Sequence, residues 1–170
     1  MTAPPSPELP YHDTKPKGAA DFYLAINATF RFMENRLGME GLRRYWSDLG
    51  RTYYAPVAQR WQLGGLPAMA QYWRSFFDAE PGSDVTVEQH EQEVRVEVRT
   101  CPAIAHLRTH QREIVSCFCQ HCYFVSEAMA APAGFTVRVT GGNGACVQQF
   151  MPVNRADVKP QNLEDITRAS

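Results

Sequence analysis

At Pro81-Gly82 the spacing of apolar side chains changes from that of helices to that of strands. Upstream, Phe22, Ile26, Phe30, Met33 and Leu37 recur at the period of one helix face, with Asp21 suited to the N-cap and Gly38 to the C-terminal stop. A second helical stretch carries Leu42, Tyr45, Trp46, Leu49 and Tyr53 and ends near Pro56. A third is expected from Pro56 to Leu63. Gly64-Gly65 breaks it, and Pro67 fits the first turn of a fourth, with Met69, Tyr72, Trp73, Phe76 and Phe77 packing into the core. Downstream, Val85 and Val87, then Val94, Val96 and Val98, alternate with polar residues around His90-Glu91-Gln92, which reads as an antiparallel hairpin with one wet face.

Helical spacing returns from Pro102 to about Ala131, with a bend near Gln111. Phe135, Val137 and Val139 form a strand, Gly141-Gly142-Asn143-Gly144 supplies the positive φ angles of a tight reversal, and Cys146 to Met151 returns as its partner. No helix follows the glycines, so a hairpin turn is favoured over a phosphate loop. The expected fold class is therefore α+β: N-terminal helices packed on an antiparallel sheet made of two hairpins with one long helix between them. Residues 1–17 hold five of the twelve prolines and read as an extended or disordered arm. Residues 18–155 are expected to form one domain and residues 156–170 a polar tail.

The composition excludes several function classes. Seventeen Lys+Arg against 18 Asp+Glu leave a net charge of −1 in 170 residues, without the basic footprint of a nucleic-acid binder. No apolar run approaches the roughly 20 residues of a membrane-spanning helix. Nothing at the amino end reads as a secretory signal, so a cytoplasmic setting with reduced thiols is expected. No Gly-x-Ser-x-Gly elbow or pair of carboxylates points to an esterase or glycosidase. A small-molecule substrate or ligand is the expected partner, and a homodimer is compatible with the aromatic helices.

The chemistry then falls to the five cysteines, Cys101, Cys117, Cys119, Cys122 and Cys146. On one regular helix from Arg112, the residues Ile114, Phe118, Cys122, Val125 and Met129 form an apolar stripe facing the sheet. Cys119 flanks it beside Cys122, while Cys117 and His121 share the other flank. Either pair can cooperate; Cys119 and His121 cannot. Cys146 alternates in phase with Phe150 toward the core. Cys101 precedes the Pro102 helix, where unpaired N–H groups favour a thiolate. Cys101, Cys119, Cys122 and Cys146 are thus expected to gather at one end of the sheet, as four thiolates suited to zinc or an iron–sulfur cluster. His106 and His110 have the four-residue spacing of a metal-binding pair but lack the Glu of zinc peptidases, Leu107 standing in its place. The plainer account is a pair of solvent-facing histidines beside Arg108 and Arg112.

Three segments carry a resemblance: Cys101-Pro102-Ala103-Ile104, Ser116-Cys117-Phe118-Cys119-Gln120-His121-Cys122, and Gly142-Asn143-Gly144-Ala145-Cys146-Val147-Gln148-Gln149-Phe150. Over residues 40–151 the chain resembles the L-2-amino-thiazoline-4-carboxylic acid hydrolase-like family, and Tyr53-Tyr54-Ala55-Pro56 to Phe77 is compatible with it. The resemblance implies an α+β fold and a hydrolase opening a C–N bond of a small heterocycle or amidine-like substrate. Where members often have an acidic residue three places after the helix cysteine, this chain has Cys122. The Gly-x-Cys strand and cysteine spacing also resemble 4-vinyl-reductase-type domains, which implies metal binding or small-molecule sensing.

Three readings follow. In a hydrolase, Cys119 attacks as thiolate, Cys101 or Cys122 assists, and His106 transfers protons; a metal-assisted variant places zinc among Cys101, Cys119, Cys122 and Cys146. In a sensor or binding module, the same four cysteines close around zinc or an iron–sulfur cluster without catalysis. In a structural subunit, the thiols are ordinary core side chains.

Overall fold

The periodicity switch divides the molecule into a helical layer and a sheet. The structure, a computed structural model, describes residues 18–155 and 157–170. The proline-rich stretch 1–17, including His12, lies outside the described residues. Helix α1 spans Phe22–Asp48 and passes through a kink at Gly38, where φ is +70°. Helix α2 spans Ala55–Ala79, with a similar break at Gly65 (φ +59°) just before Pro67. Both glycines adopt angles that side-chain-bearing residues avoid, so the expected helix boundaries survive as kinks. Between the helices, Leu49–Tyr53 forms one wide π-helical turn.

The sheet is built from β1 (Asp84–Gln89), β2 (Val94–Thr100), β3 (Phe135–Gly142), β4 (Ala145–Pro152) and a short β5 (Ile166–Thr167), in the order β1-β2-β4-β3-β5. The two hairpins join antiparallel through β2 and β4, with Val98 opposite Cys146 and Val94 opposite Phe150. The α+β class and both hairpins match the sequence reading. Among the described residues no helix is long and apolar enough to cross a membrane.

The single long helix between the hairpins is replaced by two. Helix α3 (Pro102–Thr109) and helix α4 (Gln120–Ala130) flank an irregular stretch in which Gln111 takes φ +50°. Buried Asn27 of α1 holds that stretch: its amide donates to the Glu113 carbonyl at 2.9 Å and accepts from Val115 N–H at 3.1 Å. Arg31 adds a bond to the same carbonyl at 2.6 Å. Side chains from α1 thus satisfy backbone groups that helix continuation would otherwise pair, a tertiary override of local pattern. The apolar stripe expected along one helix is consequently divided. Ile114 and Phe118 pack with α1, whereas Met129 packs on the sheet.

Of the expected polar tail 156–170, the described residues 157–170 contribute to the domain. Ile166 and Thr167 pair in parallel with Gly141 and Gly142, Ala169 donates its N–H to the Ser116 carbonyl at 2.9 Å, and Ile166 and Ala169 are buried. Gln161 bonds both backbone groups of Val139 with its side-chain amide. A two-residue strand and a side-chain imitation of a strand leave no periodic signal.

The core has two parts. Trp61, Met69 and Trp73 of α2 cover Val94, Val96, Val137 and Phe150 of the sheet. Phe30, Leu42 and Trp46 of α1 enclose Ile104, Leu107 and Phe118. Helix α4 reaches α1 through the π-helical turn, where a Cβ on Gly50 would stand 2.4 Å from the Val125 carbonyl oxygen. Gly50→Ala is therefore expected to lower unfolding stability by about 1–3 kcal/mol, the usual cost of overpacking. Urea denaturation followed by far-UV circular dichroism checks this, and an unchanged midpoint would contradict the close approach.

Candidate metal centre

Each expected cysteine is placed by the start or end of a regular element. Cys101 ends the run from β2 and is the N-cap of α3. Cys119 is the N-cap of α4, because the helix starts at Gln120 and not near Arg112; Cys122 lies in its first turn. Cys146 lies near the start of β4, in phase with Gln148 and Phe150. Two helix N-termini and one strand thus deliver four thiols to the same end of the sheet. All five cysteines are unpaired.

The tip of the β3–β4 hairpin closes the arrangement. Asn143 (φ +56°) and Gly144 (φ +114°) form the two-residue reversal expected of Asn-Gly. Asn143 N–H donates to Cys119 Sγ at 3.2 Å, and the Gly144 N–H acts on the same sulfur. The Gly144 carbonyl accepts from Cys101 N–H at 2.8 Å. Asn143 is itself held, its Oδ1 accepting from Arg108 Nη2 at 2.6 Å and from Ser170 N–H at 2.9 Å. The N–H groups of Ala103 and Ile104, at the start of α3, act on the Cys101 sulfur. The Gln148 amide lies near Cys146 and opposes the rise of its thiol, while the buried Oε1 of Gln148 is unpartnered.

All four thiols are held protonated, chiefly by burial. Burial pushes the Cys101 thiol up to about 11, with Cys122 adding to the rise. Burial, then Cys122 and Cys101, take Cys119 up to about 12, against the opposing pull of Asn143 and Gly144. Cys146 rises by burial and by proximity to Cys122, Cys101 and Cys119, and Cys122 reaches about 11 by burial. Each sulfur is thus a weakly solvated thiol whose ionisation hinders that of the next, while backbone N–H groups wait for negative charge on Cys101 and Cys119. Among the described residues, no three of these sulfurs lie within 4.8 Å of one another. Cys101 and Cys119 touch both halves of the core, which places the group at the seam between them.

The remaining expected residues lie elsewhere. Cys117 is buried in the α1-side core, where burial pushes its thiol up to about 11. His121 packs against Phe30, Phe118 and Trp46, donates its Nδ1–H to the Phe118 carbonyl at 2.6 Å, and stands 3.7 Å from Cys122 Sγ through Nε2. Its burial favours the neutral ring. The pairing of Cys117 with His121 required a continuous helix, and Cys117 lies before α4 begins. His106 faces Asp21, Tyr23 and His110, and no hydrogen bond joins it to a sulfur among the described residues. Sequence reasoning missed Asn143, Gly144 and Gln148 as partners of the thiols. Gln148 had a usable signal, a polar residue in the inward phase of β4.

No protein-family model matches the chain, and no curated protein matches it significantly.

With its thiols held neutral, the chain in metal-free buffer is expected to react slowly with iodoacetamide at neutral pH. The rate should still be rising at about pH 10, since the thiolate is the reactive form and the folded pKa values are raised. A single thiol alkylated rapidly near pH 7 would contradict this.

Proposed function

We propose that the domain is a metal-binding module whose centre is held by Cys101, Cys119, Cys122 and Cys146, with zinc or an iron–sulfur cluster as the bound group. The observation that carries this reading is the convergence of two helix N-termini and one hairpin tip on four mutually interacting sulfurs. Four buried thiols at one core seam are costly to ionise one after another, and a cation would relieve that cost. Coordinating thiols are deprotonated, and backbone N–H groups aimed at Cys101 and Cys119 suit the resulting charge. Thiolate-only ligation selects zinc or iron–sulfur groups over hard cations. A small-molecule sensor or binding role, in a cytoplasmic setting that keeps thiols reduced, is the function such a closed centre fits.

The geometry supports this more than cysteine-based hydrolysis. A nucleophilic Cys119 needs a depressed pKa and a base in reach. Its thiol is instead pushed up to about 12, and no hydrogen bond joins His106, which lies beside Asp21, to a sulfur among the described residues.

Elemental analysis of the full-length chain, with acid-labile sulfide and visible absorption, tests the reading. Near-stoichiometric metal is expected: zinc in a colourless protein, or iron with sulfide in a brown one. Cys119→Ser and Cys146→Ser should each lower metal affinity at least about tenfold, because each removes a ligand. Cys117→Ser should leave it unchanged. Affinity that all three variants share with the parent chain, or a chain that cannot take up zinc or be reconstituted with iron and sulfide, would overturn it.

A further inference from the structure

A second group of donors lies on the far side of α3 from the sulfurs' hairpin contact. Asp21 stands at the start of α1, and His106 and His110 occupy one face and the C-terminal end of α3. The carboxylate and one nitrogen of each imidazole all lie within 4.8 Å of one another. We propose that Asp21, His106 and His110 form a separate divalent-metal site with nitrogen and oxygen ligands, suited to zinc or a neighbouring first-row ion and open to solvent on one side.

Three features besides proximity support it. First, His106 Nε2 is 3.3 Å from Asp21 Oδ1. That spacing is the edge of a tetrahedron of ligands about 2.0–2.1 Å from zinc, which is about 3.3–3.4 Å. Second, His106 Nε2 is buried and makes no hydrogen bond, Asp21 being near but not aligned to accept. A buried ring nitrogen without a partner is costly, and an ion between it and the carboxylate removes that cost. Third, His110 Nδ1 lies 2.9 Å from the His106 carbonyl oxygen. A neutral imidazole donates there, which leaves its Nε2 lone pair free. Metal-ligating histidines are commonly fixed by such a bond from the other ring nitrogen to a backbone carbonyl.

The i, i+4 placement explains how a short helix presents two imidazoles together, with ring centroids 4.1 Å apart. Asp21 and His110 are exposed, so positions beyond the three protein ligands face solvent. Water can occupy such a position, and a bound divalent ion lowers its pKa or polarises a carbonyl there. A centre closed by four thiolates does neither. The site shares no ligand with the sulfur centre and stands or falls independently of it.

Cobalt(II) titration of the metal-stripped full-length chain, followed by absorption spectroscopy, tests the proposal. Cobalt at a nitrogen–oxygen site has weak visible bands and no sulfur-to-cobalt charge transfer in the near ultraviolet, so the two centres are read separately. A nitrogen–oxygen class is expected in the parent chain, in His90→Ala and in Cys119→Ser. His106→Gln, His110→Ala and Asp21→Ala should each weaken it about tenfold or more. His110 and Asp21 are exposed, so their variants keep the test sound if His106→Gln fails to fold. Absence of nitrogen–oxygen cobalt bands in the parent chain, or bands that persist undiminished in His110→Ala and Asp21→Ala, would overturn the proposal.

Discussion

The hydrogen bonds at the β3–β4 hairpin tip fasten the rest of the site together. Asn143 donates to Cys119 Sγ and Gly144 accepts from Cys101 N–H, so one two-residue turn is tied to the first residues of α3 and α4. The turn needs positive φ at both positions, which Asn and Gly provide at low cost. Arg108 and Ser170 then hold the Asn143 side chain from outside. The C-terminal segment therefore helps aim an N–H group at a sulfur, which accounts for its docking along β3.

Burial and charge act in opposition at this place. Hydrophobic packing from both halves of the core surrounds Cys101 and Cys119 and favours neutral thiols. Helix starts and turn amides supply partial positive charge that favours thiolates. In the proposed metal-binding role, a cation would decide the protonation state of several of these groups at once. An isolated nucleophile would need the balance tilted toward thiolate without that help.

Much of the architecture was legible because periodicity is a local signal. The kinks at Gly38 and Gly65, both hairpins and the inward phase of Cys146 follow from residue spacing and from glycine's conformational freedom. The sequence reading brings Cys101, Cys119, Cys122 and Cys146 together through one regular helix, which the structure replaces with α3 and α4. The break between α3 and α4 was not legible, because its cause is Asn27, a single polar side chain far along the chain that captures the Glu113 and Val115 backbone. That break moved Cys119 from a helix flank to a helix N-cap. β5 escaped notice for a similar reason: Ile166 and Thr167 are too few to show alternation. Asp21 stands at the N-cap position of α1 as its sequence context predicts, but its side chain makes no cap bond and lies beside His106.

The claim that four cysteines from separate elements meet at one ion is tested most directly by X-ray absorption at the zinc edge. The metal-stripped full-length chain would be supplied with one equivalent of zinc, which soft thiolate ligands should capture ahead of imidazole and carboxylate. The account requires a first shell of four sulfurs at about 2.3 Å. A shell composed mainly of nitrogen and oxygen, with one sulfur or none, would contradict it.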